Sequence, residues 1–307
     1  MAAIAGTLTL FLPAVAREAA AQVAENSPSR SINLGGRGWS AWEGTQTPPP
    51  GGGVSAQSLE VSAQAGFASD YIYRGTTLSD RKPAVGAAIE AAWGWAYGGV
   101  SMASVKLPTQ PAVEITTRGG VRQTIGDVGI DLGMTYFYYP GEVPSDVTNG
   151  IDYWEAAIRA DRRISEAFRA AAGYAYSPNV SRTGAWSQYA AAGLGYDVPQ
   201  RLLPQNFEVS ITGGAGYSWF GNQTEALGGF PLPAYVNWQA GVTFTHKIFN
   251  LDFRYYDTNL SKENCYLFTG DPNALPGGSV DPVKNPDGLT SRWCNATVVA
   301  KFWFALN

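Results

Sequence analysis

Few residues of this 307-residue chain have types and spacings that could do chemistry, and nearly all of them are charged. His246 is the one histidine, between Thr245 and Lys247 at an expected short turn. Paired-histidine metal sites are therefore impossible, and one His with two Cys that can bond to each other leaves no zinc set. There is no G-x-S-x-G elbow and no P-loop. A Ser–His hydrolase would have to be built on His246, which reads more simply as a turn or interfacial histidine. The expectation is a chain with no catalytic residue, no metal and no cofactor, hence no enzyme. What remains is one set of charges: Glu60, Asp70, Arg74, Glu90, Glu114, Arg118, Arg122, Asp131, Glu155, Arg159, Arg169, Glu208, Arg254 and Lys301, seven of each sign.

These charges share a position in an alternating pattern. From Gln57 onward apolar and small or polar residues alternate with period two, the mark of strands with one apolar face. Leu59, Val61, Ala63, Ala65 and Phe67 alternate with Ser58, Glu60, Ser62, Gln64 and Gly66. The same rhythm recurs through Val128–Tyr138, Phe207–Ile211, Trp238–Phe244 and Val298–Phe304. It predicts about twelve strands, near 57–70, 83–95, 97–106, 112–124, 127–139, 151–162, 166–177, 185–197, 207–220, 235–246, 250–258 and 296–306. The Ala-rich stretch 155–172 also suits a helix, because Ala is a good helix former. The charges fall on the small-residue face throughout.

The connections sort by parity. Those after strands 2, 4, 6 and 10 are short, near Ala96, Gly126, Ser165 and Lys247. Those after strands 1, 3, 5, 7, 9 and 11 are mostly longer and rich in Gly, Pro, Asn and Asp, with Pro199 to Gln205 a partial exception on the short side. A transmembrane barrel of the bacterial outer membrane has short periplasmic turns and long outer loops, whereas a soluble sandwich has no reason to sort loops this way. Tyr71, Tyr73, Tyr136, Tyr138, Tyr174, Tyr176, Trp219, Tyr235 and Tyr255 gather near the long-loop ends. Trp93, Trp95, Tyr97, Tyr196, Phe249, Phe302 and Phe304 gather near the short turns, as two interfacial girdles would.

Composition agrees. Only 15% of residues are charged, 13% are aromatic and 36 are Gly, with a net charge of -4 and no long basic run. That argues against a nucleic-acid partner, and 45% apolar content is far from a disordered chain. Residues 1–21 read as a secretory signal, apolar around Leu8, Leu10, Phe11 and Leu12 with Ala19-Ala20-Ala21 before Gln22; a buried N-terminal helix is the alternative. Residues 22–56 read as a flexible segment around Pro48-Pro49-Pro50 and Gly51-Gly52-Gly53, with Trp39 and Trp42 able to dock. Residues 57–307 form the barrel.

Several motifs resemble one family. Ser69-Asp70-Tyr71-Ile72-Tyr73-Arg74-Gly75 with Ser79-Asp80 and Lys82-Pro83-Ala84, then Tyr136-Phe137-Tyr138-Tyr139-Pro140-Gly141, Tyr153-Trp154-Glu155, Tyr176-Ser177-Pro178 and Asp257-Thr258-Asn259-Leu260-Ser261, are similar in kind and order to landmarks of the TorF family of porin-type proteins. The resemblance covers about Gln57 to Phe304. It implies an outer-membrane pore, and carries no catalytic residue or substrate. Such barrels usually end in Phe, whereas here Phe302-Trp303-Phe304 is followed by Ala305-Leu306-Asn307.

Facing lipid, an Arg or Lys at the bilayer midplane costs about 2–4 kcal/mol, so the charged face belongs to the lumen. Two readings of that lumen stand: a polar wall past which small polar solutes diffuse, or a salt-bridge network that fills a narrow barrel for a structural or adhesive role. Arg118, Arg122, Arg159 and Arg169 could make a track for anions, unless Glu114 and Glu155 neutralise them. Arg74, four residues after Asp70, is expected at the outer mouth, either favouring anion entry or pairing with Asp70 or another lumen acid. Cys265 and Cys294 bracket the longest outer loop; export favours a disulfide between them, with two free thiols as the alternative. The expected partners are outer-membrane lipids, small polar solutes and, during biogenesis, the barrel-assembly machinery.

Overall fold

A computed structural model describes residues 59–143 and 150–306. The expected signal at 1–21 and the Pro/Gly-rich segment at 22–56, with Trp39 and Trp42, lie outside the described residues. The alternating stretches all become strands: β1 (Leu59–Ala68), β2 (Ala84–Trp93), β3 (Ala96–Ser104), β4 (Val113–Ile125), β5 (Val128–Tyr138), β6 (Tyr153–Arg163), β7 (Phe168–Ser177), β8 (Ser187–Asp197), β9 (Phe207–Phe220), β10 (Tyr235–His246), β11 (Phe249–Thr258) and β12 (Thr297–Leu306). Each pairs antiparallel with its chain neighbours, and β1 closes the ring on β12 from Ala63↔Leu306 to Ala68↔Lys301. A closed barrel leaves no strand edge unpaired.

The Ala-rich stretch is strand on both arms of a hairpin, with Ala160 opposite Ala172. Its charges decide against a helix. Glu155, Arg159 and Asp161 share one face in period two, whereas Ile158 and Trp154 are exposed on the other.

The outer face is apolar and bare. Val61, Val85, Ile89, Met102, Leu132, Met134, Ile158, Leu194, Ile211 and Phe253 are all exposed, an arrangement that is a liability in water and the normal girdle of a barrel in lipid. Tyr136, Tyr138, Tyr174, Tyr176, Tyr217 and Tyr255 form an exposed band near the long-loop end, and Trp93, Trp95, Phe168, Phe249 and Phe304 another near the short turns. Four aromatics expected in these bands are inside instead. Tyr97 and Tyr235 occupy inward positions of β3 and β10, and Tyr71 and Tyr73 belong to a connection that folds into the barrel. The ending of the chain does not disturb the last strand: Phe302, Phe304 and Leu306 hold the outward register while Lys301 and Trp303 point in.

Loop parity holds. The turns at 94–95, 126–127 and 247–248 are two residues long and use Gly94, Gly126 and Lys247 at positive φ, as tight hairpins require. The longer connection at 198–206 contains a single 3-10 turn, Gln200–Leu202. At the opposite end lie the connections 69–83, 105–112, 178–186, 221–234 and 259–296, the last carrying α1 (Lys262–Thr269), with the described residues 139–143 and 150–152. Among the described residues no helix is long and apolar enough to cross a membrane. The apolar core sits at this long-loop end, inside the mouth, where Tyr71, Ile72, Val105, Leu107, Phe137, Tyr153, Trp293 and the two cysteines pack together.

Candidate functional site: the lumen and its plug

The first connection does not stand above the barrel. After β1 ends at Ala68 the chain turns inward, and Ile72–Tyr73 pairs with Thr76–Thr77 as a two-rung hairpin. Its tip residues, Arg74 and Gly75, both have positive φ (48° and 83°). Glycine is needed at the second of them twice over, because a Cβ there would also collide with the Thr258 side chain of β11 and crowd Asn237 of β10. The hairpin therefore enters the lumen from β1, with its tip against β10 and β11.

Polar contacts fix it there. The Arg74 guanidinium donates through Nη1 and Nη2 to the two carboxylate oxygens of Glu155 on β6, at 3.0 and 2.8 Å. This fork geometry is the strongest form of ion pairing available to a side chain. The guanidinium carbon also lies 4.6 Å from the Tyr73 ring centre and 4.2 Å from that of Tyr189 on β8. Tyr73 donates its hydroxyl to Glu155 at 3.1 Å. Tyr71 and Tyr139 each donate theirs to Glu114 on β4, at 2.9 Å. Around the tip, the inward-facing Ser177, Ser187, Tyr189, Ser218, Tyr235, Asn237 and Thr258 of β7–β11 are all buried. The outer mouth is closed by packed side chains.

Asp70 and Arg74 are thus brought near the mouth but not together. Arg74 pairs with Glu155, whereas Asp70 accepts hydroxyl bonds from Thr77 and Ser79 at 2.5 and 2.9 Å. Both lie near the mouth as expected, but not on β1: the chain bends inward after Ala68 and carries Arg74 to the tip of the hairpin, where its partner is another lumen acid, Glu155. Burial pushes the Asp70 carboxyl above the ordinary range, against the bonds from Thr77 and Ser79, which work to lower it.

A lid lies over the plug. Ser261 caps α1 by accepting the Asn264 N–H, and Cys265 of α1 is joined to Cys294. Phe268 packs on Tyr235 with ring centres 5.2 Å apart. Lid and hairpin share bonds: Thr77 N–H to the Trp293 carbonyl at 3.0 Å, the Trp293 indole N–H to Asp80 at 3.1 Å, and Arg81 to the Arg292 carbonyl at 2.9 Å. Burial works to raise the Asp80 carboxyl, but the bonds from Lys82 and Trp293 and the Lys82 charge outweigh it and hold it below the usual range.

Below the plug the lumen is filled by ion pairs. Glu90 on β2 binds Arg118 at 2.6 Å and Arg122 at 2.7 Å, both from β4. Tyr97 lies between the two arginines and β5, its ring 3.9 Å from the Arg122 guanidinium carbon and its hydroxyl donating to Asp131 at 2.8 Å. Arg159 on β6 stands opposite Asp131 in the ladder and is buried. Arg169 donates to Ser210 at 2.7 Å and lies 3.3 Å from Asp197. Arg254 forks onto Asp252 at 3.0 and 2.9 Å and bonds Thr212 at 2.9 Å and Gln239. Lys301 lies over the Trp303 ring at 4.6 Å. Glu208 is half-buried and Glu60 exposed, both on the inward register near the short turns.

All fourteen expected residues lie on the inward register of the strands or in the plug. Glu114 and Glu155 hold the hairpin, Glu90, Asp131 and Asp197 lie on the arginines of the track, and Asp252 takes Arg254. Tyr97 is a girdle residue by its place in the sequence and a lumen residue in the structure, and Asp161, Asp197 and Asp252 join the lumen set beside it. The signal is in the sequence, since each lies two positions from an inward neighbour on its own strand: Gly99, Arg159, Gly195 and Arg254.

Residues 53–275 match the family model Gcw_chp, described as a bacterial protein of unknown function. No curated protein matches the chain. Among solved structures it is similar to the NanC porin, at 8% identity and a TM-score of 0.44 over 81% of this chain and 100% of that one. It is also similar to LpxR from Salmonella typhimurium (8%, TM-score 0.37, 80% and 99% covered). A third is OmpT, an outer membrane protein of Vibrio cholerae (8%, TM-score 0.35, 81% and 97% covered).

Proposed function

The chain belongs to the Gcw_chp family, and from that premise we propose that it is a channel of the bacterial outer membrane, closed at rest, for small polar solutes. The observation that carries this reading is the inner face of the barrel. Charged and hydroxyl side chains line it from Glu60 and Glu208 at the short-turn end up to Glu155 beneath the plug, while the outer face is apolar. Neighbouring pairs such as Glu90 with Arg118 and Arg122 offer a passing ion alternative partners, which is how a charged wall conducts. The TorF-like motifs support the same reading. Because acids match the arginines, the selectivity expected for anions is weak.

The hairpin is the part suited to move. Its strands pair with each other and with no barrel strand, so it can leave the lumen without breaking the ladder that holds the wall. A static, salt-bridge-closed barrel is the second reading, favoured by the burial of the whole mouth layer. Single-channel recording in planar bilayers separates the two. Wild-type protein should show brief discrete openings, and replacement of residues 71–78 by a short Gly-Ser link should make them long-lived. Silence from both proteins sinks the channel; equal, steady conductance from both removes the hairpin as its gate. Small solutes are the expected cargo, and folding is expected to need the barrel-assembly machinery.

A further inference from the structure

The outer rim is not uniform around the barrel. From β5 to β11 the lipid-facing positions below the long loops carry interfacial rings: Tyr136, Tyr138, Trp154, Tyr174, Tyr176, Tyr217, Trp238 and Tyr255. From β12 through β1 to β4 the corresponding positions carry Val298, Phe67, Val85, Met102 and Ile115, with no Tyr or Trp among them. Tyr and Trp normally anchor a barrel at the headgroup level, so this sector needs another means.

It has one in its charges. The connections above these strands supply Arg81, Lys82, Lys106 and Arg292, all exposed. The ammonium groups of Lys82 and Lys106 converge on one oxygen of Asp80, at 2.9 and 3.4 Å, and both side chains remain more than half exposed (57% and 58%). Lys106 continues the outward register of Met102 and Ser104, which places it at the lipid edge and not over the lumen. Arg81 donates to two carbonyls, Arg292 at 2.9 Å and Ala296 at 3.4 Å, neither of which carries a charge. The nearby acids are spent: Asp80 is shared by both lysines, Asp70 is buried under hydroxyl bonds, and Asp271 is buried against Ser291. On the aromatic side, by contrast, Arg182 is met by Asp152 at 3.4 Å.

We propose that Lys82, Lys106 and Arg81 form a docking surface for the phosphorylated headgroup of an anionic outer-leaflet lipid, whose acyl chains lie on the apolar β2–β3 face. Two ammoniums held a few ångströms apart by one carboxylate present more donors than Asp80 can use, and a phosphate has three oxygens to accept them. The acyl chains explain why the site stands directly above Val85 and Met102. The inference needs the barrel in a bilayer; it does not need the channel to conduct.

Native mass spectrometry of the full chain in detergent, titrated with bisphosphorylated lipid A or with zwitterionic phosphatidylcholine, tests it. Lys82→Gln with Lys106→Gln should weaken lipid A binding by roughly thirtyfold, each lysine near a lipid phosphate being worth about fivefold. Lys262→Gln with Lys284→Gln, on the lid, should leave it unchanged, and phosphatidylcholine binding should not respond to either pair. Lys106→Gln alone, which leaves Asp80 paired, should cost about fivefold and serves if the double variant fails to fold. Wild-type affinity in the Lys82/Lys106 variant overturns the proposal. So does displacement of lipid A by an equal concentration of inorganic phosphate, which would mark a site for the ion and not the lipid.

Discussion

Glu155→Gln tests the mechanism that holds the plug. The substitution keeps the shape and one acceptor oxygen but removes the charge that Arg74 grips at 2.8 and 3.0 Å. Breaking a buried ion pair by neutralising one partner costs about 3–5 kcal/mol. The side chains are 10% and 7% exposed, and the guanidinium keeps its contacts with Tyr73 and Tyr189, worth about 1–2 kcal/mol in a desolvated site. The lower end of the range, about 3 kcal/mol, therefore applies. That energy belongs to hairpin docking and not to the barrel, whose strand ladder Arg74 does not join. It should raise the ratio of undocked to docked hairpin by about a hundredfold. Single-channel open probability and amide exchange across residues 71–79 would both report the change, with heat stability of the barrel unaltered. A double-mutant cycle with Arg74→Met should recover a coupling of about 2–3 kcal/mol. If open probability and exchange both stay within a few-fold of wild type, or if the two substitutions simply add, Arg74 and Glu155 are not the latch.

Other consequences follow from the same geometry. Because burial raises the Asp70 carboxyl in the folded state, its contribution to hairpin docking is complete below the ordinary aspartate value and is lost as pH rises through the raised value. The protection of amides 71–79, with the intrinsic pH dependence of exchange divided out, should thus rise on acidification from neutral pH, and Asp70→Asn should flatten that response; an unchanged slope in the variant refutes the assignment. The Cys265–Cys294 bond closes a loop with a sequence separation of 29, which the chain-entropy treatment values at about 3–4 kcal/mol. Unreduced tryptic peptides should appear linked, and replacing both cysteines by Ser should speed proteolysis within 262–294. Free thiols in exported protein would contradict the pairing. At Gly241 a Cβ would meet the Phe253 carbonyl oxygen at 2.7 Å and Arg254 Cα at 3.0 Å, while at lipid-facing Gly213 the nearest atom is 3.4 Å away. Gly241→Ala should therefore lower barrel stability by about 1–3 kcal/mol and Gly213→Ala much less; equal heat midpoints would refute the inner-face packing.

The strands were legible because their signal is local. A period-two alternation of Val, Ile and Phe with small or charged residues assigns each position to lipid or lumen from a few neighbours alone, and loop length then assigns the ends. Val128–Tyr138 was read this way and forms β5 over the same residues. The plug was not legible, since nothing within Asp70–Lys82 says that Gly75 will meet Thr258 or that Arg74 will reach Glu155, eighty-one positions along the chain. Tyr71 and Tyr73 continue the alternation of β1, and so were placed in a membrane girdle. The strand ends at Ala68 and the chain bends inward at Ser69–Asp70, before either tyrosine, which undoes that extrapolation. Asp252 shows a lesser failure: its even step from Arg254 places it in the lumen, yet only tertiary geometry shows that it takes that arginine rather than Lys301, opposite it in the ladder.

The glycine content has its explanation in the same filled lumen. Long charged side chains on the inner face stand opposite glycines across the ladder: Glu90 opposite Gly99, Arg159 opposite Gly173, Arg169 opposite Gly195 and Arg254 opposite Gly241. A barrel of this strand number has little room inside, and each glycine vacates the volume that its neighbour's side chain occupies. The pattern also fixes register. A slip of one residue at any of these ladders would turn a buried Arg toward lipid, at about 2–4 kcal/mol near the midplane, and leave its carboxylate partner unpaired inside. It would also set a bulky outward side chain where only hydrogen fits. Electrostatics and volume therefore select the same alignment of twelve strands, and the charges that would line a conducting path are the ones that hold the wall in register.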